Sequence, residues 1–299
     1  MVEGDRLSGR PNISDGSVAQ ARELIAQSCA ALGPGPDIQS VQEIAIGTRC
    51  GGVAGRLYRS QDRAKGLIVY LHGGGWLAGT LDGSDALARH LALRSGCALM
   101  LVDYRLAPEH PFPAGLEDAE DALRWAHQHG TKLAGADLPL IVAGDSSGAN
   151  LATVAAAALA NELTLALQLL FYPATDTDTS TASYLSCGTG LRLTREDMRW
   201  FLRHYAPESL WPDERISPLR RKTLKGSPPA WIATAEYDVL RDEGEAYAQR
   251  LKNDGVRVEL RRYPGLTHGF ARMMNKVDTA DRALDDAAAA IVAHCKTLT

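Results

Sequence analysis

The chain has 299 residues, 45% hydrophobic and 23% charged, a balance too apolar for a disordered polymer. Its formal net charge is -4, from 32 basic and 36 acidic side chains with no long basic run, which argues against a nucleic-acid partner. The longest apolar runs, 154–160 and 287–293, fall well short of the roughly 20 residues that a membrane span needs, so no stable membrane anchoring is expected.

The length fits two domains, or one large α/β unit with an appendage. A chain of this size buries roughly 75% of its unfolded surface, so it needs neither disulfide nor metal staples. The five cysteines (Cys29, Cys50, Cys97, Cys187, Cys295) are scattered without a CxxC pair, and imply neither a zinc site nor a disulfide framework. Free thiols in a reducing cytoplasm are expected. The polar opening MVEGDRLSGRPNISDG carries no apolar core, so no secretory signal is expected.

In chain order, 18–32 reads as a helix followed by GPGPD. GLIVYLH (66–72) is a short β-branched apolar run, as a buried parallel strand is. A helix over 85–94 stops at Gly96, and CALMLVDY (97–104) is the next strand. An amphipathic helix over 116–129 places Leu116, Ala119, Leu123 and Ala126 on one face. LPLIVAGD (138–145) is a strand, followed by an Ala-rich helix over 147–162. Strands at 165–173, 229–238 and 256–264 alternate with helices at 243–252 and 280–296, the former ending at Asn253-Asp254-Gly255. Strands and helices alternating at this spacing predict a mostly parallel, doubly wound sheet. Two regions break the alternation. One is 1–40. The other is 177–228, where a helix over 193–205 opens on a Thr194/Asp197 capping box and ends in Pro-rich sequence. An insertion of that size is usually functional. Both are expected to form a helical cap over the carboxyl ends of the strands, with 41–176 and 229–299 as the catalytic domain.

VAGDSSG (142–148) runs from a strand through Gly-x-Ser-x-Gly into a helix, the context of a nucleophile elbow. Gly144 and Gly148 allow close backbone approach, and Ser146 sits at the tip. Centring the motif on Ser147 would put Asp145 and Ala149 where glycines belong, so Ser147 is rejected as nucleophile. Its N–H, following the nucleophile, is an oxyanion donor. LHGGGW (71–76) ends a strand with free backbone N–H groups and lacks the GxxxxGK[ST] pattern of a phosphate loop. Gly74 and Gly75 are the other expected donors. A serine needs a base, and the base an orienting acid, in the chain order Ser, acid, His. Of the late histidines, His294 falls in the periodicity of the last helix, whereas His268 lies in a Gly-flanked loop after a strand. Asp238 is favoured for the acid by its position at a strand end, with Glu236 and Asp242 as rivals.

HGGGW (72–76), DYRLAPEHPFPA (103–114), GDSSG (144–148), YDVLRDEG (237–244) and GLTHGF (265–270) together resemble the hormone-sensitive-lipase-like, or family IV, bacterial esterases, over about residues 40–298. The resemblance implies an α/β-hydrolase fold: a mostly parallel eight-stranded sheet, helices on both faces and a helical cap. It implies carboxylic-ester hydrolysis without a cofactor or metal, on small-molecule esters of short to medium acyl chain. It carries the nucleophile to Ser146, the acid to Asp238, the base to His268, and the oxyanion hole to Gly74, Gly75 and Ser147. It also implies a homodimer near the last strand and helix.

Two positions depart from the family pattern. Ser147 replaces an alanine, adding a hydroxyl beside the acyl site, and Val239 replaces a proline, which loosens the turn after the acid. Arg105, Glu109 and His110 are expected to form a buried polar network. Trp76, Trp200, Phe201 and Tyr205 are candidates for the substrate pocket, with cap packing as the alternative for each. The motifs do not specify the leaving group, so amide, N-acetyl, carbamate and lactone hydrolysis stay open. A non-catalytic small-ligand receptor is a remoter alternative, disfavoured because His268 accompanies Ser146 and Asp238.

Overall fold

A computed structural model describes residues 12–135 and 138–296. The chain forms one eight-stranded sheet: β1 (Ser40–Ile46), β2 (Val53–Arg59), β3 (Leu67–Leu71), β4 (Ala98–Val102), β5 (Leu140–Asp145), β6 (Leu165–Phe171), β7 (Ala230–Tyr237) and β8 (Val258–Thr267). The spatial order is β1-β2-β4-β3-β5-β6-β7-β8. The first two pairings are antiparallel and all the others are parallel.

The inner parallel strands, β3 to β7, read as largely apolar runs because both faces are covered, whereas β8 at the sheet edge carries exposed Glu259, Arg261 and Arg262. Along β3, Leu67, Val69 and Leu71 face α3 (Ala114–Ala134) and α4 (Ser147–Ala158). Ile68 and Tyr70 face α2 (Leu81–Ser95) and α8 (Asp278–Lys296). Each such fully buried aliphatic side chain contributes about 1.5–3 kcal/mol of transfer free energy.

β1 and β2 escape the periodicity reading. Their burial alternates poorly and polar Gln42, Glu43, Arg56 and Arg59 interrupt them, because they form one edge of the sheet. The available signal was the Gly-rich turn between them, with Gly51 and Gly52 at positive φ. α2 begins before residue 85, at Leu81, because Thr80 Oγ1 accepts the Gly83 N–H and caps it there. α4 ends at Ala158, short of residue 162.

Outside the sheet layers lie α1 (Val18–Ala30), α5 (Ala182–Cys187) and α6 (Arg195–Tyr205). α6 has the expected capping box: Thr194 Oγ1 accepts the Asp197 N–H, and Asp197 Oδ2 accepts the Thr194 N–H. The other oxygen of Asp197 accepts the Ser14 N–H at 2.8 Å, joining the segment before α1 to the insertion. The segment 103–114 is organised differently from the expectation. Arg105 pairs with buried Asp118 on α3, whereas Glu109 and His110 are exposed and Glu109 pairs with Arg22 of α1. The loop is thus fastened from outside, to two helices, because its own acid and imidazole face solvent. α7 (Arg241–Asn253) and four short 3₁₀ turns complete the described elements; of these turns, Phe270–Met273 matters most below.

Candidate active site

β5 ends at Asp145 and α4 begins at Ser147, leaving Ser146 alone on the turn. Its φ of 56° and ψ of -121° lie where a side chain is strained, at a cost of about 1–3 kcal/mol. Backbone bonds hold it there: Ser146 N–H donates to Phe171, and its carbonyl accepts from Asn150. The flanking glycines are required sterically. A Cβ on Gly144 would lie 2.5 Å from the Gly148 carbonyl carbon, and one on Gly148 2.0 Å from the Leu71 oxygen. Strand, elbow and helix close on one another only without those side chains.

Ser146 Oγ lies 3.0 Å from His268 Nε2, and His268 Nδ1 lies 2.8 Å from Asp238 Oδ2. The elbow at β5, the turn after β7 and the loop after β8 bring these residues together from distant parts of the chain. Both hydrogen bonds have the geometry that lets a hydroxyl lose its proton to an imidazole held in one tautomer. Asp238 is fully buried, and its Oδ1 accepts the Leu240 N–H at 3.0 Å. Its rivals are engaged elsewhere. Glu236 accepts the Gly265 N–H, and Asp242 accepts the Ser183 N–H. Ser183 of α5, which the sequence reading passed over, also donates to the Val239 carbonyl at 2.6 Å. That bond fastens the turn which the missing proline was expected to loosen. His294, by contrast, is tied to its own helix through Ala290.

After β3 the chain turns through Gly73, Gly74 and Gly75 into Trp76. Gly74 and Gly75 have φ of 143° and 63°. Both line the cavity that contains Ser146, Ser147 and His268. Asp145, the residue before the nucleophile, is 2% exposed and holds this loop. Its Oδ1 accepts from Gly73 N–H at 2.8 Å and Tyr70 OH at 3.0 Å, and its Oδ2 accepts from Arg272 Nη2 at 2.9 Å. His72 is fully buried against Tyr104, with Nδ1 3.1 Å from the Gly73 carbonyl. Burial pushes its pKa down to about 4, so the ring is neutral at pH 7.

The cavity has a volume of about 120 Å³. Its apolar wall comes from the N-terminal segment (Ile13, Ile25, Leu32), the insertion (Leu193, Met198, Phe201) and Met273. Of the pocket candidates, Trp76 and Phe201 line it, whereas Trp200 and Tyr205 do not. Tyr205 is buried behind Trp76, ring on ring at 4.6 Å. Trp200 packs against Phe201 and His204, the latter on its own helix one turn on. The reason is helical geometry: α6 presents positions 198 and 201 to the cavity, and position 200 points away. Sequence reading missed the rest of the wall, among it Ile25, Ser28 and Cys29 of α1, Met198 of α6 and Arg272, because nothing in local pattern says which helix closes a cavity.

Comparison with known proteins agrees with this geometry. Residues 68–272 match the α/β-hydrolase fold family. The chain is 38% identical to the carboxylic ester hydrolase LipN of Mycobacterium tuberculosis, covering 98% of this chain and 81% of that one. It is 37% identical to the ethyl acetate hydrolase of Pseudomonas putida, covering 95% and 93%. An esterase of Pyrobaculum calidifontis superposes with a TM-score of 0.91 at 37% identity, covering 97% of each chain. The chain therefore belongs to the α/β-hydrolase fold family, in its hormone-sensitive-lipase-like branch.

Proposed function

We propose that the protein is a serine carboxylesterase that hydrolyses short- to medium-chain carboxylic esters through an acyl-enzyme on Ser146. The observation that carries this reading is the hydrogen-bonded chain Ser146–His268–Asp238, 3.0 and 2.8 Å per link, at the floor of a cavity lined by Gly74, Gly75 and Ser147. The ester carbonyl binds with its oxygen toward the N–H groups of those three residues. His268 takes the Ser146 proton as Oγ attacks the carbonyl carbon. Asp238 fixes the imidazole and stabilises its protonated form. His268 then protonates the leaving alcohol, and a water activated by the same imidazole releases the acid. Hydrogen bonds formed to the developing oxyanion are worth about 3–4 kcal/mol per donor in comparable sites.

The cavity size supports the chain-length reading: about 120 Å³ is below the ~150 Å³ that accommodates benzene, so a short acyl group fits and a long one must leave by the mouth. The relatives named for ester hydrolysis, one of them for ethyl acetate, support the same leaving-group class. In this reading 1–40, of which 1–11 lie outside the described residues, and 177–228 act as the cap, supported for the described part by the Ser14–Asp197 bond and by the shared cavity wall. A cytoplasmic location belongs to it too, supported by cysteines that are all free thiols; no described helix is long and apolar enough to cross a membrane. A homodimer pairing at β8 is supported by that strand's place at the sheet edge, and light scattering on the purified protein tests it.

The deciding experiment is hydrolysis of p-nitrophenyl esters from acetate to palmitate by the parent and by Ser146→Ala. Turnover that peaks at short chains and vanishes in the variant is expected. Equal activity in the variant would remove Ser146 from the mechanism. A folded parent that cleaves no ester but cleaves an amide, an N-acetyl group or a lactone would move the same residues to that substrate.

A further inference from the structure

Gly73 is held from both sides. Its N–H donates to Asp145, and its carbonyl accepts from Arg272 Nη2 at 3.1 Å and faces His72 Nδ1 at the same distance. A trans peptide places its carbonyl and the following N–H on opposite sides of the chain. Whatever fixes the Gly73 carbonyl therefore fixes the direction of the Gly74 N–H. Glycine offers no side-chain resistance to a flip of that peptide, and Gly74 itself sits at a φ of 143°.

We infer that Arg272 is a positioning residue for the reaction: by gripping the Gly73 carbonyl it keeps the Gly74 N–H directed at the oxyanion. This rests on the reading of Gly74 as an oxyanion donor. The location of Arg272 carries the argument further. It lies on the 3₁₀ turn Phe270–Met273, four residues after His268, and its guanidinium reaches both Asp145, one residue before Ser146, and the oxyanion loop. One largely buried cation thus ties together the loops that bear the base, the nucleophile and the oxyanion donors. Its Nη2 carries both bonds, to Asp145 and to Gly73. Its Nη1 meets Cys29 of α1, and its Nε has no hydrogen-bond partner among the described residues. A guanidinium serving only as counter-ion to Asp145 has no need of the Gly73 carbonyl, and a bidentate contact to the carboxylate would be the stronger pairing.

The test is Arg272→Met, assayed beside the parent for kcat, KM, thermal midpoint and inhibition by an alkyl trifluoromethyl ketone. The ketone adds the serine oxygen to its carbonyl carbon, the proton passing to His268, and leaves an oxyanion in the hole. Because the variant strands a buried Asp145 carboxylate, Arg272→Met/Asp145→Asn is made as well and compared with Asp145→Asn alone. The pair removes both charges while the asparagine oxygen still accepts the Gly73 N–H. Loss of Arg272 is expected to lower kcat at least about tenfold, to weaken the ketone by the same factor and to leave KM within about twofold. Parent-like kcat and ketone affinity in either folded variant would overturn the assignment. So would a fall in kcat with unchanged ketone affinity, the mark of a general loosening. Failure of the underlying reading looks different: there the parent itself hydrolyses no ester, or Ser146→Ala remains active.

Discussion

The two halves of the cavity are built by different forces. The reacting half consists of loop ends at β3, β5, β7 and β8, held by buried directional bonds: Asp145 to Gly73, Tyr70 and Arg272, Ser183 to Val239, Asp238 to His268. The opposite half is a wall of Ile13, Ile25, Leu32, Met198 and Phe201, presented by segments outside the sheet layers; the lining side chains meet by apolar contact, while the Ser14–Asp197 bond ties the segments behind them. Directional bonds fix positions to a few tenths of an ångström, as proton transfer requires. Apolar contacts tolerate a change of volume at modest cost. The chemistry is therefore lodged where displacement is expensive, and the choice of acyl group where it is cheap.

The sharpest way to break this division is at Asp238. Asp238→Asn keeps the size and the bond from Leu240 while offering His268 an amide in place of a carboxylate. The imidazole then loses both its tautomer control and its counter-charge. A fall in kcat of about 10⁴-fold is expected on any p-nitrophenyl ester, short or long. A loss that depended on acyl length would mean that Asp238 shapes the wall as well, and the separation of roles would fail.

Acid should distinguish the halves next. Two fully buried titratable groups with opposite tendencies lie in and behind the reacting half: His72 follows β3, and Glu243 on α7 holds the chain after β6. His72 has a native pKa of about 4 against about 6.5 when unfolded, so its contribution is full above pH 6.5 and is lost as pH falls toward 4, by about 3 kcal/mol. Glu243 works the other way. Burial, only partly offset by the N–H groups of Thr175 and Asp176, raises its pKa well above 4.5. Its contribution is full below pH 4.5 and is lost as pH rises. The two partly cancel in the parent, so variants must separate them. Urea unfolding from pH 7 to pH 4 should show His72→Asn losing less stability across the window than the parent does. Glu243→Gln should lose more. Identical pH slopes in all three proteins would show that neither group titrates as its surroundings dictate.

This division also explains what could be read in advance. Ser146, Asp238, His268 and the glycine loop were legible because their chemistry imposes local sequence: glycines where a Cβ would sit 2.0 Å from a carbonyl, a serine between strand and helix, a histidine in a loop after a strand. The buried strands were legible from apolar runs. β1 and β2 were not, since an edge hairpin with Glu43 on one strand and Arg56 on the other carries no clean alternation. α5 was not either, although Ser183 on it secures the turn after the acid. The wall was the least legible part. Phe201 lines it and Trp200 does not, and one residue along a helix decides that difference. Arg105, Glu109 and His110 look like one cluster in sequence and have different partners in space, because neighbours in a loop need not face the same way.

The smallest expected effect falls on the wall and sharpens the comparison most. Phe201 stands directly against the oxyanion loop: a Cβ on Gly75 would lie 2.2 Å from its ring. Its ring therefore limits how far an acyl chain extends between loop and α6. Phe201→Leu shortens that stop without putting a polar group in the wall, and α6 keeps its capping box and its bond to Ser14. The ratio of kcat/KM for hexanoate to that for acetate is expected to rise about tenfold, while kcat for acetate stays within about threefold of the parent. A pocket contact of one or two methylene groups carries about that much discrimination. Trp200→Ala, one residue earlier and facing away from the cavity, should leave the chain-length profile where it was. Measured side by side on the same ester series, the two variants test whether the wall sets chain length through the ring that touches the cavity. A shift of equal size in Trp200→Ala would mean that α6 acts as a whole, by its packing, and that acyl choice is distributed through the cap rather than placed at one side chain.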